Sequence, residues 1–172
     1  MVEMMKWLER RFGYEPPVGE FPAIVERLRG TPARVEEKAA RIHPRVRLMK
    51  RGDDWSIQEH LGHLVDLEAL WARRTEELIG GSGGMSAADM TNQATRERNH
   101  NARALAAICA EFRVARGNWV ARLDACREAD AARTSLHPRL KRPMRLVDLC
   151  FFVAEHDDHH LAIVTRLARA LE

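Results

Sequence analysis

A chain of 172 residues, 45% apolar and 31% charged, is long enough to bury one core and too apolar to be disordered. The net charge of +3 is small, and acidic residues are interleaved with the arginines nearly everywhere, which argues against a nucleic-acid binder. The densest basic run, Arg139, Lys141, Arg142 and Arg145, reads as a solvated loop. Cys109, Cys126 and Cys150 are far apart and odd in number, so they form neither a disulfide framework nor a metal knuckle. No stretch approaches the ~20 apolar residues of a membrane span, and the start of the chain has no signal-peptide run. The expected compartment is the cytoplasm, with neither nucleic acid nor membrane as a partner.

In chain order, residues 3–11 read as a short helix closed by Gly13 and the Pro16-Pro17 break. Pro22 opens a second helix carrying Ile24, Val25, Leu28, Val35 and Ile42, which Pro32 breaks or kinks and His43-Pro44 ends. Ser56-Ile57-Gln58-Glu59 fits a capping box, starting a helix with Leu61, Leu64, Leu67, Trp71 and Leu78 on one face. That helix stops at the glycine tract 80–84, read as a flexible connector, since no Lys-Ser/Thr follows to make a phosphate loop. Residues 85–98 read as a long loop or partial helix, and a further helix runs from about Asn99 to Cys126 on Leu105, Ile108, Phe112, Trp119 and Leu123. Residues 130–145 are irregular, and the last helix begins near Leu146. The whole is one all-α domain over 1–172, a four-helix bundle with a short extra N-terminal helix.

The last helix carries Glu155-His156-Asp157-Asp158-His159-His160. At about 100° per residue, His156 and His160 lie about 40° apart and one turn along, within the stripe of Leu149, Val153, Ile163 and Leu167. His159 falls to one side, and Asp157 and Asp158 to the other, nearer solvent. Two imidazoles in a core stripe are costly unless satisfied, and an i, i+4 pair can direct two nitrogens at one divalent ion. Bonds to neighbouring carbonyls or carboxylates would satisfy them equally, and the spacing alone does not decide. A third ligand would come from the Ser56–Ile79 helix, where the wheel puts His60 near the middle of the apolar stripe and His63 about 60° off.

Two segments carry a family resemblance. Trp55-Ser56-Ile57-Gln58-Glu59-His60-Leu61-Gly62-His63-Leu64-Val65-Asp66-Leu67-Glu68 resembles the W-S-x-x-E-x-x-G-H-L-x-D-x-E segment of the DinB/YfiT-like superfamily of metalloenzymes. Ala154-Glu155-His156-Asp157-Asp158-His159-His160 resembles its A-E-H-D-x-H-H signature. The resemblance implies a four-helix bundle and one divalent ion, Zn²⁺ or Ni²⁺ first, on His63, His156 and His160, against the wheel's preference for His60. His60 falls where relatives often have an aliphatic residue, so it either lines the pocket or takes the place of a lost water ligand; His159 matches the motif too, but its angle makes it a neighbouring or surface group. The resemblance also implies a homodimer. Asp66 and Glu68 are then candidates to support a ligand, or ordinary surface acids.

Three nitrogen ligands leave positions open on an ion, as in a catalytic site. Such an ion activates water for hydrolysis of a small ester or amide, or stabilises a thiolate for transfer to an electrophile. The resemblance favours the second, with a low-molecular-weight thiol as co-substrate and a basic rim of Arg73, Arg74 or Arg166 for its carboxylates. A non-catalytic metal-holding or stress-related bundle is the third reading.

Overall fold

The computed structural model describes residues 2–12 and 16–171. Gly13, expected to close an N-terminal helix, lies outside the described residues. The expected helix over 3–11 is instead one 3-10 turn, Trp7–Glu9, in an otherwise extended segment. Its aromatic residues pack on the last helix, with the Trp7 and Phe12 rings each 5.0 Å from Phe152.

Helix α1 (Phe21–Arg29) and helix α2 (Thr31–Arg41) meet at Gly30. The two prolines take early helical positions, where a missing N–H leaves nothing unpaired. Arg34 N still bonds Gly30 O at 3.2 Å, so Pro32 kinks the path rather than ending it. A single-turn α3 (Pro44–Leu48) follows, capped by His43 Nδ1 accepting from Arg45 N at 3.2 Å. Helix α4 (Ile57–Ile79) begins at the expected capping box: Ser56 Oγ accepts from Glu59 N at 3.1 Å, and Glu59 Oε2 accepts from Ser56 N at 2.7 Å.

The segment after α4 is more ordered than the sequence suggests. The glycine tract is no free connector: Met85 N donates to Leu136 O at 3.1 Å, and Ser135 Oγ donates to Ser82 O at 2.9 Å. The partial helix allowed for residues 85–98 is a short α5 (Gln93–Glu97), entered through Asn92 in the left-handed region. The helix expected from Asn99 starts six residues later, as α6 (Leu105–Asp124), because Asn99 is left-handed and His100–Ala102 forms a 3-10 turn. After the short α7 (Glu128–Ala131), residues 130–145 hold an antiparallel hairpin of β1 (Thr134–His137) and β2 (Arg142–Arg145). The basic run there is not simply solvated. Arg142 Nη1 donates to Phe12 O and Arg145 Nη2 to Pro16 O, tying down the N-terminal segment. Helix α8 (Leu146–Leu171) completes the bundle. Among the described residues, no helix is long and apolar enough to cross a membrane.

The core divides in two. One cluster gathers Leu28, Trp71, Leu78, Trp119, Leu123, Leu149 and Val153, and the other Val35, Ile57, Leu61, Leu64, Ile108, Phe112, Leu161 and Val164. Each long helix passes from one cluster to the other through buried polar residues: Thr31, His63 and Glu68, Arg116, then His156, Asp157 and His160. The candidate site therefore sits in a polar layer between two apolar ones.

Candidate metal centre

Helices α4 and α8 bring His63, His156 and His160 together, each buried. One ring nitrogen from each lies within 4.8 Å of the others, and the ring centroids are 4.5 to 5.4 Å apart. His63 Nδ1 is 3.0 Å from Thr95 Oγ1. That hydroxyl also bonds the Asp66 carboxylate, whose Oδ2 lies 2.9 Å from His100 Nε2. His160 Nδ1 is 3.0 Å from His60 Nδ1. With their Nδ1 atoms engaged, His63 and His160 both have Nε2 free to face the cluster, and His160 Nε2 lies 3.2 Å from His156 Nε2. His156 Nδ1 is buried without a partner among the described residues.

Burial keeps this cluster neutral. It pushes His63 down to about 4 despite the nearby Asp66 charge, and His60 to about 4. His156 and His160 fall well below the ordinary imidazole value, through burial first and then the charge of neighbouring histidines, His63 for His156 and His156 for His160. Each therefore offers a lone pair at neutral pH. Three convergent neutral imidazoles fit a borderline ion such as Zn²⁺ or Ni²⁺ and suit Mg²⁺ or Ca²⁺ poorly, since those prefer oxygen ligands.

The remaining candidates separate cleanly. Among the described residues His60 hydrogen-bonds the cluster through His160 Nδ1, so it sits near the core as the wheel has it but outside the group of three convergent nitrogens. Asp66 is no surface acid: it supports His63 through Thr95. Glu68 is buried as well, but its carboxylate goes to Arg116 at 2.7 Å and touches none of the three histidines. Burial raises it to about 7, against the pull of that guanidinium. His159 is half-buried beside Trp7, with its ring 5.8 Å from His160. Asp157, expected nearer solvent, is fully buried, because Arg116 Nη1 meets it at 2.6 Å and Thr31 Oγ1 donates to it at 2.9 Å.

Four functional neighbours escaped the sequence reading. Thr95 lies in the segment read as a loop or partial helix, His100 lies at the expected start of the next helix, and Arg116 is one residue in an otherwise apolar stripe. Trp55 covers the cluster, its ring 4.8 Å from His63 and 6.4 Å from His160. Gly62 bears directly on this arrangement, for a Cβ there would lie 2.2 Å from the His100 ring. Only glycine lets His100 lie against α4 and hold Asp66.

The histidines form one wall of a cavity of about 600 Å³, with Trp7, Trp55, Trp71 and Phe152 among its other walls. Of the expected basic rim, Arg74 lines this cavity, whereas Arg73 is exposed away from it and Arg166 borders a neighbouring groove with His60 and His159. Arg139 and Lys141, from the hairpin turn, line the cavity instead.

Comparison with known proteins agrees with this architecture. The sequence model of the DinB superfamily matches residues 24–164, from α1 to the second half of α8. Among solved structures, the chain resembles YfiT from Bacillus subtilis, described as a probable metal-dependent hydrolase with an unusual four-helix bundle topology. The TM-score is 0.80 at 18% identity, covering 94% of this chain and 93% of that one. A search of curated proteins gives no match.

Two outcomes follow from the geometry. His63→Ala should weaken Zn²⁺ binding by orders of magnitude, and His60→Ala by no more than the ~10–100-fold of a supporting group. Titration of both variants in one buffer checks this, and the reverse order would restore the wheel's choice. The second concerns acid. In metal-free protein the unfolded chain protonates its histidines near pH 6.5 while the folded chain resists, so stability holds above that pH and falls as pH drops from about 6.5 toward 4. Each of His60, His63, His156 and His160 contributes up to about 1.4 kcal/mol per pH unit in that window, and Glu68 acts in the opposite sense as one group against four. Melting in chelator should give a lower Tm at pH 5 than at pH 7.5, and an equal or higher one would contradict the buried neutral cluster.

Proposed function

The chain belongs to the DinB superfamily, and from that premise we propose that it is a metal-dependent enzyme acting on a small molecule. The observation that carries this reading is the convergence of three neutral imidazoles on the wall of a cavity large enough for such a substrate. When bound, a divalent ion supplies Lewis acidity that favours the deprotonated form of a thiol or of water in its open positions. The chain's own residues do the rest. Thr95 and His60 fix the ring orientations of His63 and His160, and the indoles of Trp7, Trp55 and Trp71 exclude water and offer flat apolar faces. His159, half-buried on the same wall, is placed to accept a proton leaving the substrate.

The first reaction we propose is S-transfer from a low-molecular-weight thiol to an electrophile. Neutral ligands leave the full charge of the ion to hold a thiolate, and the aromatic walls suit an apolar electrophile. Hydrolysis of a small ester or amide is the second reading, favoured by the likeness to YfiT and its description. We further propose a homodimer, which light scattering at the 19.7 kDa monomer mass would remove.

One comparison separates the reactions. Zn²⁺- and Ni²⁺-loaded protein is incubated with bacillithiol, mycothiol or glutathione plus 1-chloro-2,4-dinitrobenzene, and separately with 4-nitrophenyl esters. Thiol-dependent adduct formation, abolished by chelator and by His156→Ala, is the expected result. Ester cleavage independent of thiol would select the hydrolase. Absence of both activities in the metal-loaded protein would return it to a non-catalytic role.

A further inference from the structure

Among the described residues two arginines are buried, and they differ in what surrounds them. Arg116 lies between two carboxylates. Arg74, 2% exposed and on the cavity wall, has the charge of Glu77 nearby but makes no direct ion pair among the described residues. Its Nε donates to Ser86 O at 2.9 Å, its Nη1 stands 3.3 Å from His137 Nε2, and its guanidinium lies 5.4 Å over the Trp71 ring. Glu77, one turn along α4, is engaged elsewhere, accepting from Ser86 N at 2.7 Å and from the Ser86 hydroxyl. A buried guanidinium without a directly paired carboxylate is costly, and such a group on a cavity wall is where a ligand's negative charge would be favoured.

His137 adds a second, independent observation. Its Nδ1 accepts from Leu140 N at 3.2 Å, and a neutral imidazole that accepts at Nδ1 carries its proton on Nε2. Burial, with the charges of Arg74 and Arg139, holds this ring neutral by lowering it to about 4. Nε2–H and the Arg74 Nη1–H are therefore two donors 3.3 Å apart with no acceptor between them. That contact repels as it stands, and an oxygen accepting from both would relieve it. Arg139 and Lys141 bring two more cations to the same cavity from the hairpin turn. Asp89 also lines the cavity, but its oxygens accept from Thr91 and Gln93.

We propose that Arg74, His137, Arg139 and Lys141 form an oxyanion subsite that binds a carboxylate of the substrate. The planar guanidinium offers paired donors that match the two oxygens of a carboxylate. Trp71 sets the direction of the bound molecule: Arg74 sits over its ring, and the His156 ring is 6.1 Å away. The substrate class is a small amphipathic carboxylic acid, its charged end at Arg74 and its reacting end at the histidines. This deepens the small-molecule reading above and rests on it, but binding is measurable without turnover.

The probe is 4-phenylbutyrate, with uncharged 4-phenylbutyramide as its control, titrated calorimetrically into the full chain with and without Zn²⁺. The wild type should prefer the carboxylate by about tenfold or more, the scale of a charge-assisted bond in a buried site. Arg74→Gln should lose that preference while binding the amide and Zn²⁺ as before. Removing an unpaired buried charge should leave the fold intact, and Arg139→Gln, at a half-buried turn position, gives a milder second test with a smaller loss. Equal binding of acid and amide by the wild type would overturn the proposal. So would a preference that survives Arg74→Gln but vanishes on chelation, since the carboxylate would then sit on the ion. Failure to bind Zn²⁺ with the Arg74-dependent preference intact would overturn the metal reading alone.

Discussion

The side chain of Arg116 holds the bundle's helices in the register on which the site depends. Its guanidinium, almost fully buried on α6, meets Glu68 of α4, Asp157 of α8 and the Leu28 carbonyl of α1, while Thr31 of α2 bonds the same Asp157. Taking these charges out of water costs several kcal/mol per ion, offset only because every partner is in hydrogen-bonding position. Removing one partner would strand the others, typically at ~3–5 kcal/mol. Hydrophobic packing tolerates a helix sliding or rotating slightly, but this network does not. Asp157 is the residue after His156, so fixing it fixes where α8 presents His156 and His160 to α4.

Around that anchor the supporting contacts divide the labour. The segment between α4 and α6 folds back so that Thr95 and His100 reach His63 and Asp66, and Gly62 is the close approach that permits it. Trp55, just ahead of the Ser56 cap, lies over the cluster. His60 occupies the central position that a helical wheel favours, and it spends its Nδ1 on orienting His160. A wheel drawn for a straight isolated helix carries no information about the direction from which its neighbour arrives. Here α8 approaches α4 on the side of His63, which places an edge position at the cluster and a central one beside it.

Much of this was legible in the residues themselves. Prolines and glycines mark the ends and the kink of the α1–α2 arm, the Ser56–Glu59 box marks the start of α4, and the i, i+4 pair His156 and His160 marks α8. Arg116 was read past, although it interrupts the Ile108, Phe112, Trp119, Leu123 stripe at an expected rung, the signal of a buried charge in need of opposite partners. The short elements were not. The hairpin at 134–145 pairs over only four residues a side, and the Trp7 turn takes its shape from packing on α8 rather than from local periodicity. Asp157 looked exposed because its burial depends on a guanidinium forty-one residues distant in the chain. Contacts of that separation leave no mark in local spacing.

The central claim, that His63, His156 and His160 together hold one divalent ion with positions left open, is tested most directly by X-ray absorption at the metal edge of the Zn²⁺-loaded chain. The account predicts three imidazole rings with nitrogen at ~2.0 Å, completed by light oxygen scatterers and no sulfur. Four imidazoles would bring His60 into the ligand set, and a sulfur shell or a shell of oxygen alone would place the ion elsewhere; either result would contradict it.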